Sequence, residues 1–324
     1  MSSNTHRRHP KEVDNTGFSG NSSTGAQRIL NRDGSANLRK TGIAFFRRFS
    51  IYHSLLKMSR LRFLFMVFLF YTVTNLFFAT VYLSIGLDKL SGAEVSDNFL
   101  SNFSQAFFFS SQTMTTVGYG HVAPSGFIAN AIASVESFLG IMTFAIVTGM
   151  FYARFSRPQA FIQFSDNFLV SPYKNGKAIM FRLATYKNNE LTDVEAKITL
   201  AMHVLIDGVR TAKFFPLNLE ISKIGSLPIS WTCVHHLNED SPLYNLQEED
   251  LRERSMEMLV TIKAFDDHFS NTVQQKTSYS YREMVYGAKF IPMYERTEGS
   301  FTEVKLDMIN AFDQHVFEEK AVEA

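Results

Sequence analysis

Apolar residues are bunched in one part of this chain. From Phe63 to Gly86 the run FLFMVFLFYTVTNLFFATVYLSIG carries no charged side chain, and about 20 such residues suffice for a helix to cross a bilayer. The pattern predicts one membrane-spanning helix over 63–86 and a second over 127–152, the latter interrupted by a single ionisable group, Glu136. Between them, residues 98–120 hold an apolar stretch too short to span, with Asn98 or Ser101 as helix cap and a glycine-bearing loop at its end. It reads as a re-entrant helix and loop. Irregular backbone at membrane depth is tolerated only where it is buried in protein or lines a wet cavity. These elements together predict a membrane domain over residues 61–158.

Beyond Pro158 the hydrophobic period changes to two. Val194, Ala196, Ile198, Leu200, Met202 and Val204 alternate with Glu195, Lys197, Thr199, Ala201 and His203, the signature of a strand in a half-buried sheet. Similar runs at 178–186, 213–219, 229–234, 258–265 and 272–281, separated by turn formers such as Tyr173-Lys174-Asn175-Gly176, predict a β-sandwich over 159–317 followed by a tail, 318–324. At the other end, residues 1–40 are rich in Ser, Asn, Gly and Arg without apolar periodicity, which predicts a disordered tail. Residues 41–60 mix aromatic, aliphatic and basic side chains in FFRRFSIYHSLLKM, as an amphipathic helix lying in the membrane interface would. The expected fold class is membrane α plus all-β.

Charge then orients the spans. Arg47, Arg48, Lys57, Arg60 and Arg62 precede the first, Arg154 and Arg157 follow the second, and Asp88, Glu94 and Asp97 face only Lys89 between them. Cytoplasmic flanks carry the excess of Lys and Arg, so both termini are expected in the cytoplasm. From Ala160 onward there are 24 acids against 17 Lys plus Arg. That excess would favour cations in an internal vestibule, and a solvated acidic surface explains it equally well. Cys233 is the only cysteine, which excludes a disulfide framework and suits a small buried hydrophobe in a strand. His235 and His236 are adjacent, so in a strand they point to opposite faces and share no metal. Asp266-Asp267-His268 reads as a turn between strands. No motif assembles a nucleophile with a base, no phosphate-binding loop is visible, and no span is Arg-rich, which argues against an enzyme, a nucleotide-gated regulatory domain and a voltage sensor. A membrane-anchored sandwich that conducts nothing would leave the re-entrant loop without a purpose.

The loop itself, Thr116-Val117-Gly118-Tyr119-Gly120 after Thr115, resembles the TVGYG filter of potassium channels, in which backbone carbonyls replace the water shell of the ion. Gly118 and Gly120 can adopt backbone angles that a Cβ resists. One chain supplies a quarter of such a ring, so a homotetramer is expected, with K⁺ in the filter as the only metal, no other cofactor and no nucleic-acid partner. A filter with Tyr119 also argues against a non-selective cation pore.

Three stretches carry the resemblance further, to the inward-rectifier potassium channel family and its prokaryotic branch: AFFFSSQTMTTVGYG (106–120), VESFLGIMTFAIVTGMFYARFSRP (135–158) and DSPLY (240–244). The likeness covers roughly residues 41–317 and implies an immunoglobulin-like cytoplasmic sandwich and residence in the bacterial inner membrane. It implies pore constrictions at Phe144 and Tyr152, which share a helix face with Thr148, and bend or close-packing positions at Gly140 and Gly149. Gln112, Thr115 and Glu136 are expected to support the filter, Gln112 standing where relatives often have Glu. Lys57, Arg154 and Arg157 are expected to meet anionic lipid head groups, each gaining about 1 kcal/mol at such a surface. Phe144 occupies the place of an acid that binds blocking cations in eukaryotic relatives, which argues against strong rectification by that route.

Overall fold

The computed structural model describes residues 12, 28–42, 50–206, 209–296 and 302–315. They form two units, 41–157 and 1–40 together with 158–324.

In the first unit, α1 (Ile51–Lys57) precedes α2 (Arg60–Ile85), β1 (Leu90–Ser91), α3 (Phe99–Met114), β2 (Ala123–Pro124) and α4 (Gly126–Phe155). Both long helices, α2 and α4, are apolar enough to cross a membrane. Each runs past the apolar stretch that signals it: α2 takes in Arg60 and Arg62, and α4 takes in Arg154. Long basic side chains can extend a spanning helix because their stems lie on apolar surface while the charge stays at the interface. Arg60 does this over the Phe155 ring, 5.7 Å from its centroid. Of the two candidate caps of α3, Asn98 is used, its side chain accepting from Leu100 N at 2.9 Å. The loop before α3 is pinned to it by two amides. Asn102 brackets Ser96, and Gln105 brackets Glu94, each bonding both the backbone N–H and the C=O. Phe78, Ala79 and Tyr82 of α2 pack against Ala106 and Phe109 of α3 and Ala133 of α4, while most other apolar side chains of α2 and α4 face outward.

The second unit is an immunoglobulin-like β-sandwich. One sheet runs in the order β11 (Asn271–Ser280), β10 (Glu257–Asp266), β6 (Leu191–Ile206), β7 (Val209–Leu217), with β8 (Lys223–Ser226) also on β6. The other runs β12 (Met284–Tyr286), β4 (Phe168–Tyr173), β5 (Gly176–Thr185), β3 (Ile162–Phe164), with β9 (Ser230–His236) also on β5. A short helix, α5 (Glu248–Glu253), precedes β10, and two small ladders join β13 (Ala288–Phe290) to β16 (Phe312–Gln314) and β14 (Tyr294–Arg296) to β15 (Thr302–Val304). Alternation decides the core: Val194, Ala196, Ile198, Leu200 and Met202 of β6 meet Phe168, Phe181 and Leu183 from the opposite sheet. Cys233 is buried there, and burial pushes its thiol up. His235 is buried against Asn218 O and Ser241 Oγ, whereas His236 lies on the other face beside Glu220.

The N-terminal region departs from its expectation. Residues 28–37 lie against the outer face of the first sheet, where Ile29 and Leu30 cover Ala201, Ala212, Phe214 and Leu259. The buried Glu257 carboxylate accepts from Ile29 N (2.7 Å) and Leu30 N (3.0 Å), and Arg28 pairs with Glu283 at 2.9 Å. Burial is the largest influence on Glu257 and raises its pKa, against the opposing pull of these N–H donors and Arg28. A composition averaged over forty residues hides this apolar pair. The remainder of the expected tail, residue 12 apart, and residues 43–49 and 316–324 lie outside the described residues. Glu257→Ala would leave two buried N–H groups without their acceptor, at about 1–3 kcal/mol each. Faster hydrogen exchange at Ile29 and Leu30 and a lower melting temperature are expected, and unchanged exchange would show that the carboxylate does not hold the segment.

Candidate ion-conduction site

The site begins at the last turn of α3. Thr115 N and Oγ1 both bond Ser111 O, after which the chain leaves the helix and folds back on it. Thr116 N donates to Thr113 O at 3.1 Å, while Val117 N (2.9 Å) and Gly118 N (3.3 Å) share the carbonyl of Gln112. Gln112 thus supports the loop through its backbone, a role its side-chain type does not reveal. The carboxyl end of α3, where the helix dipole is negative, leads straight into the loop.

Backbone handedness alternates along that loop. Thr116, Gly118 and Gly120 have φ of 59°, 53° and 80°, whereas Val117 and Tyr119 are absent from the positive-φ residues. Successive residues of opposite hand turn successive carbonyls toward the same side, where an extended or helical strand would not. Glycine meets this demand at little cost. The positive φ of Thr116 is what the sequence does not reveal, since a β-branched residue there is a genuine outlier, and strain of this kind gathers at functional sites. The Val117 and Tyr119 side chains are exposed.

Glu136 lies fully buried behind α3. It accepts from Tyr82 Oη at 2.7 Å and from Ser110 Oγ. Ser110 also reaches Asn75 Oδ1 (3.0 Å), and Asn75 donates to Tyr71 O (2.7 Å). The carboxylate therefore braces α3 against α2, and among the described residues its partners are these two hydroxyls and not the backbone of the loop. A buried carboxylate needs such partners, because an unpaired one is costly.

Gly140 and Gly149 differ. A Cβ on Gly140 would stand 2.0 Å from Met114 O, whereas none of the described atoms comes within 4 Å of one on Gly149. Gly140 is thus a close-packing residue between α4 and the end of α3. Gly140→Ala is expected to lower thermal stability and ion flux together, by displacing the helix that carries the filter. Gly149→Ala should leave the packing within the chain intact. Equal effects in thermal melts of the two variants would contradict this assignment.

Phe144, Thr148 and Tyr152 form one exposed stripe on α4, with Phe144 and Tyr152 accessible at 76% and 75%. Arg154 turns inward instead. Its guanidinium donates to Leu55 O (2.6 Å) and Met58 O (2.5 Å) and lies 4.7 Å from the Phe63 ring centroid. It thereby ties α1 to α4, with two of its N–H groups held by the chain itself. Arg157 is exposed, and the Lys57 side chain lies outside the described residues. No group of metal-ligating side chains occurs among the described residues.

Two membrane-length helices around a short helix and a loop of alternating hand define the class, a pore-forming ion channel. Comparison with known proteins agrees. Residues 49–157 match the family model described as "Ion channel", and residues 162–320 match "Inward rectifier potassium channel C-terminal domain". The chain is 32% identical over 271 residues to the inward rectifier potassium channel Kirbac3.1 of Paramagnetospirillum magnetotacticum, covering 82% of this chain and 89% of that protein. It is 27% identical over 301 residues to G protein-activated inward rectifier potassium channel 4 of Homo sapiens, covering 85% of this chain and 70% of that one. The chain belongs to the inward-rectifier potassium channel family, and its relatives are membrane ion channels, not enzymes.

Proposed function

We propose that four copies of this chain surround one axis and pass dehydrated K⁺ through a column of carbonyls from Thr116 to Gly120. The alternation of φ along the loop carries this reading, because it aims several carbonyls of one chain at a common line. One copy cannot encircle an ion, and a closed cyclic assembly is the simplest way to complete the ring. The exposed Val117 and Tyr119 side chains then pack away from the axis. The stripe of Phe144, Thr148 and Tyr152 faces the axis beyond the filter, where rings of bulky side chains stop ions by dewetting. Both termini lie in the cytoplasm, by the Lys and Arg excess flanking α2 and α4. The host membrane is the inner membrane of a bacterium, in keeping with the bacterial relative. Anionic lipids modulate the channel through Lys57, Arg154 and Arg157, with Arg154 also transmitting the movement of α1 to α4.

The test is Rb⁺ uptake by liposomes holding the purified protein. Uptake blocked by Ba²⁺, and altered by anionic lipid in the wild type but less so in Arg157→Ala, is the expected result. Failure of Ba²⁺ to block removes the filter reading, and indifference to lipid charge removes the lipid reading alone.

A further inference from the structure

The chain just beyond the filter is held by the connection between α2 and α3. Gly120 is followed by His121, Val122 and β2, which pairs antiparallel with β1, Leu90 opposite Pro124 and Ser91 opposite Ala123. Ser125 N donates to Lys89 O at 2.7 Å and prolongs that ladder. β1 is itself anchored: Leu87 and Leu90 are buried in one cluster with Phe78, Ala79 and Tyr82 of α2, and Ala93 and Val122 pack against it. After β1 the chain turns, Ala93 N donating to Leu90 O at 3.1 Å. Gly92 occupies this turn at φ 87°. A Cβ there would stand 2.0 Å from His121 O, whereas real Cβ atoms stay beyond 3.0 Å. Two backbones meet at this point, and only glycine permits both the hand and the approach. Beyond Ala93 the support returns to α3, where the Gln105 amide brackets Glu94, donating to its O (2.6 Å) and accepting from its N (2.8 Å).

We infer that Gly92 is a positioning residue for conduction: by admitting His121 O against the turn it fixes the Gly120 end of the filter, while Gln105 ties that turn to the helix carrying the other end. The inference rests on the reading of Thr116–Gly120 as the filter. Within one chain the loop is held at its ends. Val117 N and Gly118 N bond Gln112 O before it, and the Gly92 contact and the β1–β2 ladder hold the chain after it. Along the loop itself, none of the described atoms comes within 4 Å of a Cβ on Gly118 or Gly120. A shift at either end is therefore carried into the carbonyls between, and their placement is what replaces the water shell of the ion.

The test uses single channels of the full-length protein in a planar bilayer, which report the properties of the channels that fold, however many do. Gly92→Ala forces one of the two backbones to retreat by about 1 Å, from 2.0 Å to beyond 3.0 Å, and a misplacement of that size can cost about a hundredfold in a positioned site. It is expected to weaken Ba²⁺ block by about tenfold or more and to move the reversal potential between K⁺ and Na⁺ toward zero. Gln105→Ala leaves Gly92 in place and loosens the turn, so both readouts should shift the same way by less. Fewer Gly92→Ala channels with wild-type block and wild-type reversal would make Gly92 a folding residue only and overturn the inference. If Gly92→Ala yields no channels, Gln105→Ala decides, and wild-type values there overturn it. A wild type that reverses at zero would instead remove the filter reading.

Discussion

Gly118→Ala is expected to abolish most K⁺ flux. Gly118 sits at φ 53° with nothing within 4 Å of an added Cβ, so within the chain the penalty is conformational. A left-handed L-residue costs roughly 1–2 kcal/mol, and in a symmetric assembly it is incurred once per chain. The total exceeds the about 1.4 kcal/mol that separates a decade in rate, so flux should fall by more than tenfold. The alanine relaxes by returning φ to negative values, which turns one carbonyl out of line. A D-alanine introduced at the same position by semisynthesis adopts positive φ without strain and should restore flux. Equal loss with both enantiomers would mean that the backbone hand of Gly118 is not what the ion requires.

Tyr152→Ala is expected to raise basal flux several-fold while leaving selectivity unchanged. Tyr152 and Phe144 stand two helical turns apart on the exposed stripe of α4, and in the proposed tetramer a ring of four phenol groups would narrow and dewet the pore where alanines would not. Rb⁺ uptake read together with a K⁺ against Na⁺ comparison separates the two functions. An unchanged rate would move the constriction to Phe144 or the filter, and a changed selectivity would mean that removal of the ring reaches the filter.

The parts of this protein that were legible in its sequence are those governed by one strong local rule. Uninterrupted apolarity marked α2, apolarity broken only by Glu136 marked α4, period-two alternation marked β6, and TVGYG marked the loop. What the sequence hid depends on partners far along the chain. Ala201, Phe214 and Leu259 belong to strands whose opposite faces already fill the core, and their apolar character was the only signal that residues 28–37 cover that sheet. Arg154 looked like any basic flank, because nothing local reveals that Leu55 and Met58 offer it carbonyls. Glu136 was visible as a carboxylate within a span, but its partners Tyr82 and Ser110 come from two other helices. Thr116 was legible as a filter residue and its positive φ was not, since β-branched residues avoid that region and only the bonds to Thr113 and Gln112 hold the chain there.

Selectivity is the property that follows most directly from carbonyls replacing a water shell. Single channels in a planar bilayer, with K⁺ on one side and Na⁺ on the other, report it as a reversal potential. The conduction path described here requires a large shift toward the K⁺ equilibrium potential, and reversal at zero would contradict it.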